Sequence, residues 1–172
     1  MILKRIFHQG LARLASNWPA LSDKLVASFM PIDATLFIPW HPVKKSLKAS
    51  KIALVTTAGI HHKGQKPFNM GDSLGDPSFR SIDSKTIADT YKITHDYYDH
   101  RDADRDLNIV FPITRLTEMQ KSGWVGRVSD RHFSFMGHID GRHVDTLINR
   151  SAPQVAGMLK DLEVDVVLLT PA

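Results

Sequence analysis

A chain of 172 residues, 42% hydrophobic and 23% charged, has the composition of an ordinary soluble protein and is long enough for one sizeable core. Its 22 Lys and Arg against 18 Asp and Glu leave a formal charge of +4, spread along the chain, which does not indicate nucleic-acid binding; no run approaches the roughly 18 apolar residues of a membrane helix. The absence of cysteine excludes disulfides, thiolate metal sites and a cysteine nucleophile within these residues.

The opening MILKRIFHQGLARLASNWPALSDK is basic, with no acid before Asp23. An organellar transit peptide has a similar look, but Ile2, Leu3, Ile6, Leu11, Leu14, Leu21 and Leu25 recur at roughly helical spacing and fit amphipathic helices better. Residues 1–30 therefore form an N-terminal helical segment, and 31–172 the main domain. Pro31, Pro39 and Pro42 then exclude a long helix and mark an extended connector, with Phe37, Ile38 and Trp40 as its anchors.

Lys51–Thr57, KIALVTT, is the clearest strand, a continuous apolar run of the kind found in parallel sheets covered on both faces. It ends in Ala58-Gly59-Ile60-His61-His62, a natural functional loop, since ligands of open α/β sheets bind beyond the carboxyl ends of strands. Phe68–Ile82 is rich in Gly, Asp and Ser but has neither P-loop nor dinucleotide spacing. Asp72, Asp76, Ser78 and Arg80 are its ligand-facing candidates, and turn chemistry explains them equally well.

Lys92–Pro112 packs two His, five Asp and two Arg ahead of the apolar run LNIVF, whose β-branched and aromatic content predicts a second buried strand over Leu107–Phe111. Thr114 caps a helix that Gly123 ends, and Trp124–Asp130 is a small strand. Ser151-Ala-Pro-Gln154 has the form of a capping box, placing Val155, Ala156, Leu159 and Leu162 on the buried face of a helix. Val164–Thr170 is the third hydrophobic strand. Alternating strands and helices predict an α/β fold, a small mainly parallel sheet flanked by helices in a Rossmann-like three-layer arrangement, behind N-terminal helices.

The nine His and the Asp cluster invite a metal site, with Asp99 and His100 plus Asp102 or Asp104 as hard-oxygen and imidazole ligands. No spacing matches a specific metal motif, and turn-capping Asp paired with Arg101 and Arg105 accounts for the same residues. No metal is assigned, and no G-x-S-x-G elbow supports a serine nucleophile.

The segments IPWHPVKK, KIALVTTAGIHHKGQKPF, GDPSFRSI, THDYYDHRDADRDLNIVFPITRL, RHFSFMGHI and VDVVLLTPA follow one another between Pro39 and Ala172. In that order they resemble the glycine/sarcosine/betaine reductase and D-proline reductase selenoprotein B family, nearest to its short, D-proline-reductase-like members. The resemblance implies an oxidoreductase that cleaves a C–N bond of an amino acid or related amine, with electrons from a dithiol or thioredoxin-like donor. It implies partner reductase subunits, one carrying a pyruvoyl group that activates the amine. It also implies a selenocysteine or cysteine immediately after a strand ending Leu-Thr-Pro. This sequence carries Leu168-Leu169-Thr170-Pro171 and then Ala172, so the expectation is a cytoplasmic selenoprotein truncated before its redox atom, with a reading frame that continues through UGA.

A selenolate or a low-pKa thiolate suits such chemistry because it is soft and anionic at neutral pH. Residues of this chain would orient it and move protons. Position on loops at strand ends, rather than any family motif, makes His61, His100 and His132 the candidates, with Asp99 or Asp102 fixing an imidazole; Asp72, Ser78 and Arg80 are candidates for holding substrate. His61, His100 and Asp102 are expected to converge at the carboxyl edge of the sheet, with Ile109 and Phe111 buried. Two other classes stay open: a catalytically silent interaction module, and a metal-dependent enzyme built on the His/Asp cluster. A homo-oligomer is left open as well.

Overall fold

The computed structural model describes residues 2–28, 41–85 and 90–172; the expected anchors Phe37, Ile38 and Trp40 lie outside the described residues. Two compact units are present, Met1–Lys44 with Asp96–Asp99, and Lys45–His95 with His100–Ala172. In the first, α1 (Ile2–Asn17) and α2 (Pro19–Ser28) match the helical periodicity of the sequence, with Pro19 at the opening of α2, where its missing N–H costs nothing. Ile6 and Leu14 are nevertheless 60% and 50% exposed, so the apolar stripe of α1 is not a wholly buried face. Among the described residues no helix is long and apolar enough to cross a membrane.

The second unit is organised around β1 (Lys51–Thr56). One edge of β1 pairs in parallel with β7 (Val166–Thr170), in register from Ile52 opposite Val166 to Thr56 opposite Thr170. The other edge pairs in parallel with β5 (Arg127–Val128) at its start and with β6 (Arg131–Ser134) at its end. Antiparallel to β6 runs β3 (Arg80–Asp83), so the sheet is mixed, and a separate two-stranded ladder joins β2 (Ile60–His62) to β4 (Tyr91–Ile93). Alternation along β1 then decides the two faces. Ala53 packs with Phe133 and Phe135 against Val155 and Leu159 of α6 (Ala152–Asp161). Leu54 and Thr56 face the opposite way, toward Val110 and the layer that contains Phe111. The result is an α/β fold with cover on both sides of the central strand.

The expected strand over Leu107–Phe111 is not one. Leu107–Ile109 is a 3-10 turn, which α3 (Arg101–Arg105) precedes and α4 (Ile113–Lys121) follows. Local side-chain chemistry overrides the β propensity of LNIVF: the Asp106 carboxylate accepts from the Asn108 N–H at 3.0 Å, and Asn108 in turn accepts from the Thr114 N–H at 3.1 Å. Phe111 is fully buried as expected, whereas Ile109 is 60% exposed, because a 3-10 turn points successive side chains around an axis rather than to two faces.

Two capping expectations also fail. Thr114 lies inside α4, whose N-cap position is Pro112. Ser151 is buried in a helical interior, since α5 (Arg142–Thr146) runs through a π-turn at Leu147–Ser151 straight into α6, leaving no free helix start for a capping box. Val155 and Leu159 are buried as expected, but Ala156 is exposed.

Candidate functional site

The carboxyl ends of β1, β6 and β7 meet at one edge, and three segments are tied together there. The Thr57 N–H donates to the Thr170 carbonyl at 3.1 Å, and the Thr57 hydroxyl accepts from the Ala172 N–H at 3.1 Å. The Val110 carbonyl accepts from the hydroxyls of Thr56 and Thr170, at 2.9 and 2.8 Å, pinning the Leu107–Phe111 segment under the same edge. The Gly59 N–H donates to the Phe135 carbonyl at 2.8 Å, and the Thr94 N–H donates to the Gly59 carbonyl at 2.9 Å. The bonds to Val110 and Gly59 satisfy buried groups that would otherwise be costly, while the Ala172 bond is exposed.

Two glycines make this convergence close. Gly59 has φ +70°, and a Cβ there would stand 2.5 Å from the Thr94 carbonyl oxygen. Gly137 has φ +87°; its Cβ would stand 2.5 Å from the Thr57 carbonyl oxygen, 3.2 Å from Nε2 of His95 and 3.3 Å from Cβ of Thr57. Both conformations are ones that side chains rarely adopt. Gly137 is therefore packed directly against Thr57 and His95, which only the absence of a side chain there permits. His95 is 5% exposed.

The expected histidines have other surroundings. His61 is 3% exposed; its Nδ1 sits 2.9 Å from the His62 carbonyl, and so donates, while Nε2 lies 2.8 Å from the Thr94 hydroxyl and accepts. His132 is fully buried in β6, with Nδ1 accepting from the Leu54 N–H at 2.9 Å, so that its proton is on Nε2. Burial pulls its pKa down to about 4, against the partial opposition of the Ser129 carbonyl and the Asp130 and Asp83 carboxylates. A ring that is neutral and wedged into the sheet is a structural acceptor. His100 pairs with Asp104 at 2.7 Å, and Asp102 with Arg105 at 3.3 Å, across adjacent turns of α3. These are local surface pairings; Asp102 fixes Arg105 rather than an imidazole.

The substrate candidates divide between two places. Asp72 accepts from the Leu74 N–H at 3.0 Å and pairs with Arg142 and His143 of α5, each at 3.0 Å. The Leu74 amide, then the His143 hydrogen bond and the Arg142 charge, hold its carboxyl at about 2. Ser78 and Arg80 instead line an open cavity of about 600 Å³ together with Gln65, Lys66, Asn69 and Asp76. The Arg80 donors are directed to the carbonyls of Lys66, Pro67 and Phe79 and to the Ser78 hydroxyl, and its guanidinium lies 4.2 Å over the Phe68 ring. Arg80 therefore holds the loop. Among the described residues no group of three or more His, Asp or Glu could hold a metal ion, so the His/Asp cluster supplies no ligand set.

The packing together of Thr57, His95 and Gly137 was not read from the sequence. The strands at KIALVTT and VDVVLLT were readable, but β6 beside β1 and the meeting of Gly137 with His95 depend on tertiary contacts that no local spacing encodes.

The family model for glycine/sarcosine/betaine reductase selenoprotein B matches residues 21–172. The chain belongs to that family. It is 37% identical over 131 residues to the D-proline reductase subunit gamma of Acetoanaerobium sticklandii, a match covering 76% of this chain and 52% of that protein. It is 32% identical over 136 residues to the glycine reductase complex component B subunit gamma of Symbiobacterium thermophilum, covering 77% of this chain and 31% of that protein. The corresponding subunit of Carboxydothermus hydrogenoformans is 31% identical over 144 residues, covering 82% of this chain and 32% of that protein. The chain thus matches about half the length of the first relative and about a third of the other two. No solved structure matches it.

Proposed function

We propose that this chain is the scaffold part of a selenoprotein B-type reductase subunit, and that the carboxyl edge of β1, β6 and β7 is where its soft nucleophile works. The observation that carries the reading is the convergence of Thr57, His95 and Gly137 with the Leu168-Leu169-Thr170-Pro171 strand end. Ligand chemistry in open α/β sheets belongs at such an edge.

The 172 residues contain no cysteine, so the nucleophile is expected on polypeptide joined to the Leu-Thr-Pro lead-in, as the family resemblance implies. Such a group, anionic at neutral pH, attacks the carbon that bears the amine and displaces it. The chain's own contribution is positional. The Thr57 hydroxyl fixes the main chain after Pro171, the Val110 carbonyl clamps Thr56 and Thr170 together, and the β1–β7 ladder keeps the two strand ends level. Activation of the amine is assigned to a partner subunit bearing a pyruvoyl group, and the electrons to a dithiol or thioredoxin-like donor.

One alternative is an interaction module that keeps the family surface without its chemistry. Isolating the complex through this chain from the cells that make it, and supplying dithiothreitol with glycine, sarcosine, betaine or D-proline, separates the two. Dithiol-dependent cleavage of one of these amines is expected. Partner subunits that co-purify without turnover of any of them would replace the reductase reading with the interaction module.

A further inference from the structure

The first helix, α1, exposes its apolar side. At about 100° per residue, Ile6, Leu14 and Trp18 share an arc of about 120°, and Gln9 stands about 140° from Leu14, on the opposite side. Gln9 is the side that holds the helix to its own unit, with Nε2 donating to the buried Asp96 carboxylate at 2.8 Å. On the arc, Ile6, Leu14 and Trp18 are 60, 50 and 64% exposed. Trp18 belongs to it because its N–H continues the helical turn, donating to the Leu14 carbonyl at 3.0 Å. The same stretch brings Lys4, Arg5 and Arg13, and none of the chain's 18 Asp and Glu precedes Asp23. The family match begins at residue 21, so α1 stands outside the matched residues.

We propose that α1 attaches this protein to an anionic lipid surface, lying flat in the headgroup layer with Ile6, Leu14 and Trp18 inserted. A helix with cations, an apolar side carrying leucine and tryptophan, and no acid lies in a membrane interface rather than crossing it. The 16 residues of α1 are also short of the roughly 20 that a span requires. Insertion removes the exposed apolar arc from water, the cations meet lipid phosphates, and the Trp18 indole takes the boundary, with its ring among acyl chains and its N–H among headgroups. Charge decides between the occupants of this side. A second copy packed α1 to α1 would bring two sets of Lys4, Arg5 and Arg13 together with no acid on either helix to offset them. A reductase partner common to the family would be met by residues within the family match, and α1 precedes them. Anionic lipid satisfies the arc and the cations at once. The proposal does not depend on where the nucleophile works.

The test mixes the full chain with vesicles of pure phosphatidylcholine, or of equimolar phosphatidylcholine and phosphatidylglycerol, and measures co-sedimentation. Partitioning onto the anionic vesicles is expected to exceed that onto the neutral ones by at least about tenfold, and to fall as salt is raised. Leu14→Gln with Trp18→Gln removes the apolar anchor, and Lys4→Gln with Arg5→Gln and Arg13→Gln removes the charge. Each set is expected to lower partitioning by at least about tenfold. Equal binding to the two kinds of vesicle, or anionic binding that L14Q/W18Q leaves unchanged, would overturn the proposal. A second measurement leaves α1 intact. With Trp40→Phe and Trp124→Phe, Trp18 is the one tryptophan remaining. Its emission is expected to shift to the blue on anionic vesicles and to be quenched by lipids brominated near the headgroup; emission that the vesicles do not move overturns the proposal as well. A dimer that L14Q/W18Q dissolves into monomers, or a partner subunit that the same variant loses from the isolated complex, would give this side of α1 to a protein and overturn the assignment to lipid.

Discussion

The main-chain N–H of Leu54, in the middle of β1, donates not to another strand but to Nδ1 of His132 at 2.9 Å. On the same edge, Ser129 donates to the Ile52 carbonyl and Phe135 to the Thr56 carbonyl, each at 2.8 Å, so the imidazole fills the one gap in the ladder where β5 passes into β6. The price is a buried Nε2–H with no hydrogen-bond partner among the described residues, beside the Phe111 ring at 5.6 Å.

This arrangement predicts an acid limit to stability. The folded pKa of His132 is about 4, against 6.5 for a free imidazole, so the fold favours the neutral ring. Its contribution is complete above pH 6.5 and is lost as pH falls from there toward 4, at most about 3 kcal/mol over the window. Denaturant unfolding from pH 7.5 to 4.5 should show this slope, and His132→Gln should flatten it. His132→Phe leaves the Leu54 N–H unpaired and should cost about 1–3 kcal/mol even at pH 7.5. A His132→Gln protein with the same pH slope would exclude the assignment.

Glycine substitutions should separate sharply by position. A Cβ on Gly75, at φ +87°, would stand 1.7 Å from the His138 carbonyl oxygen in the bridge it forms with Ile139. Gly75→Ala is expected to destabilise by about 3 kcal/mol or to prevent folding. Gly157, inside α6, meets nothing within 4 Å, so Gly157→Ala should stabilise by about 0.5–1 kcal/mol. Thermal melts in the opposite order would show that these loops are placed differently.

Asp72 should act locally. Its depressed carboxyl contributes above the ordinary carboxylate pKa and loses that contribution only as pH falls toward about 2, so the contribution is constant at neutral pH. Asp72→Asn is expected to raise amide exchange across Gly71–Phe79 while the melting temperature moves little, because what is lost is the link from this loop to Arg142 and His143. Carbon-13 titration of the Asp72 carboxyl should give a midpoint near 2; a midpoint near 3.8 would mean that the link does not form in solution.

His100 and Asp102 should be nearly silent. The Asp102 and Arg105 side chains are 79% and 81% exposed, and His100 pairs with a half-exposed Asp104, so screening leaves each ion pair little weight. His100→Ala and Asp102→Ala are each expected to change stability by less than about 1 kcal/mol. A loss of several kcal/mol in either variant would reveal a buried role that these pairings do not provide.

β1 and β7 were legible in the sequence because each is a continuous apolar run, although only β1 is mostly buried while Leu168 and Leu169 of β7 are exposed. LNIVF has the same pattern and a different structure. There Asp106 and Asn108 supply turn bonds that outweigh strand propensity, and Val110 spends its carbonyl on two threonine hydroxyls rather than on a ladder. At the site, strand-end position drew attention to His61, His100 and His132, which the fold places in three different surroundings. His61 and His132 bond the framework, and His100 belongs to a surface helix. The packing of Gly137 against His95 is a long-range contact that no local spacing encodes.

The most direct test of the nucleophile's place is mass spectrometry with selenium detection on the polypeptide isolated from the cells that make it. The peptide containing Leu168-Leu169-Thr170-Pro171 is predicted to carry selenium, or a cysteine thiol, within the few residues joined to it. A peptide with that sequence and neither atom would contradict the account, and the chain would then serve its family's fold without its chemistry.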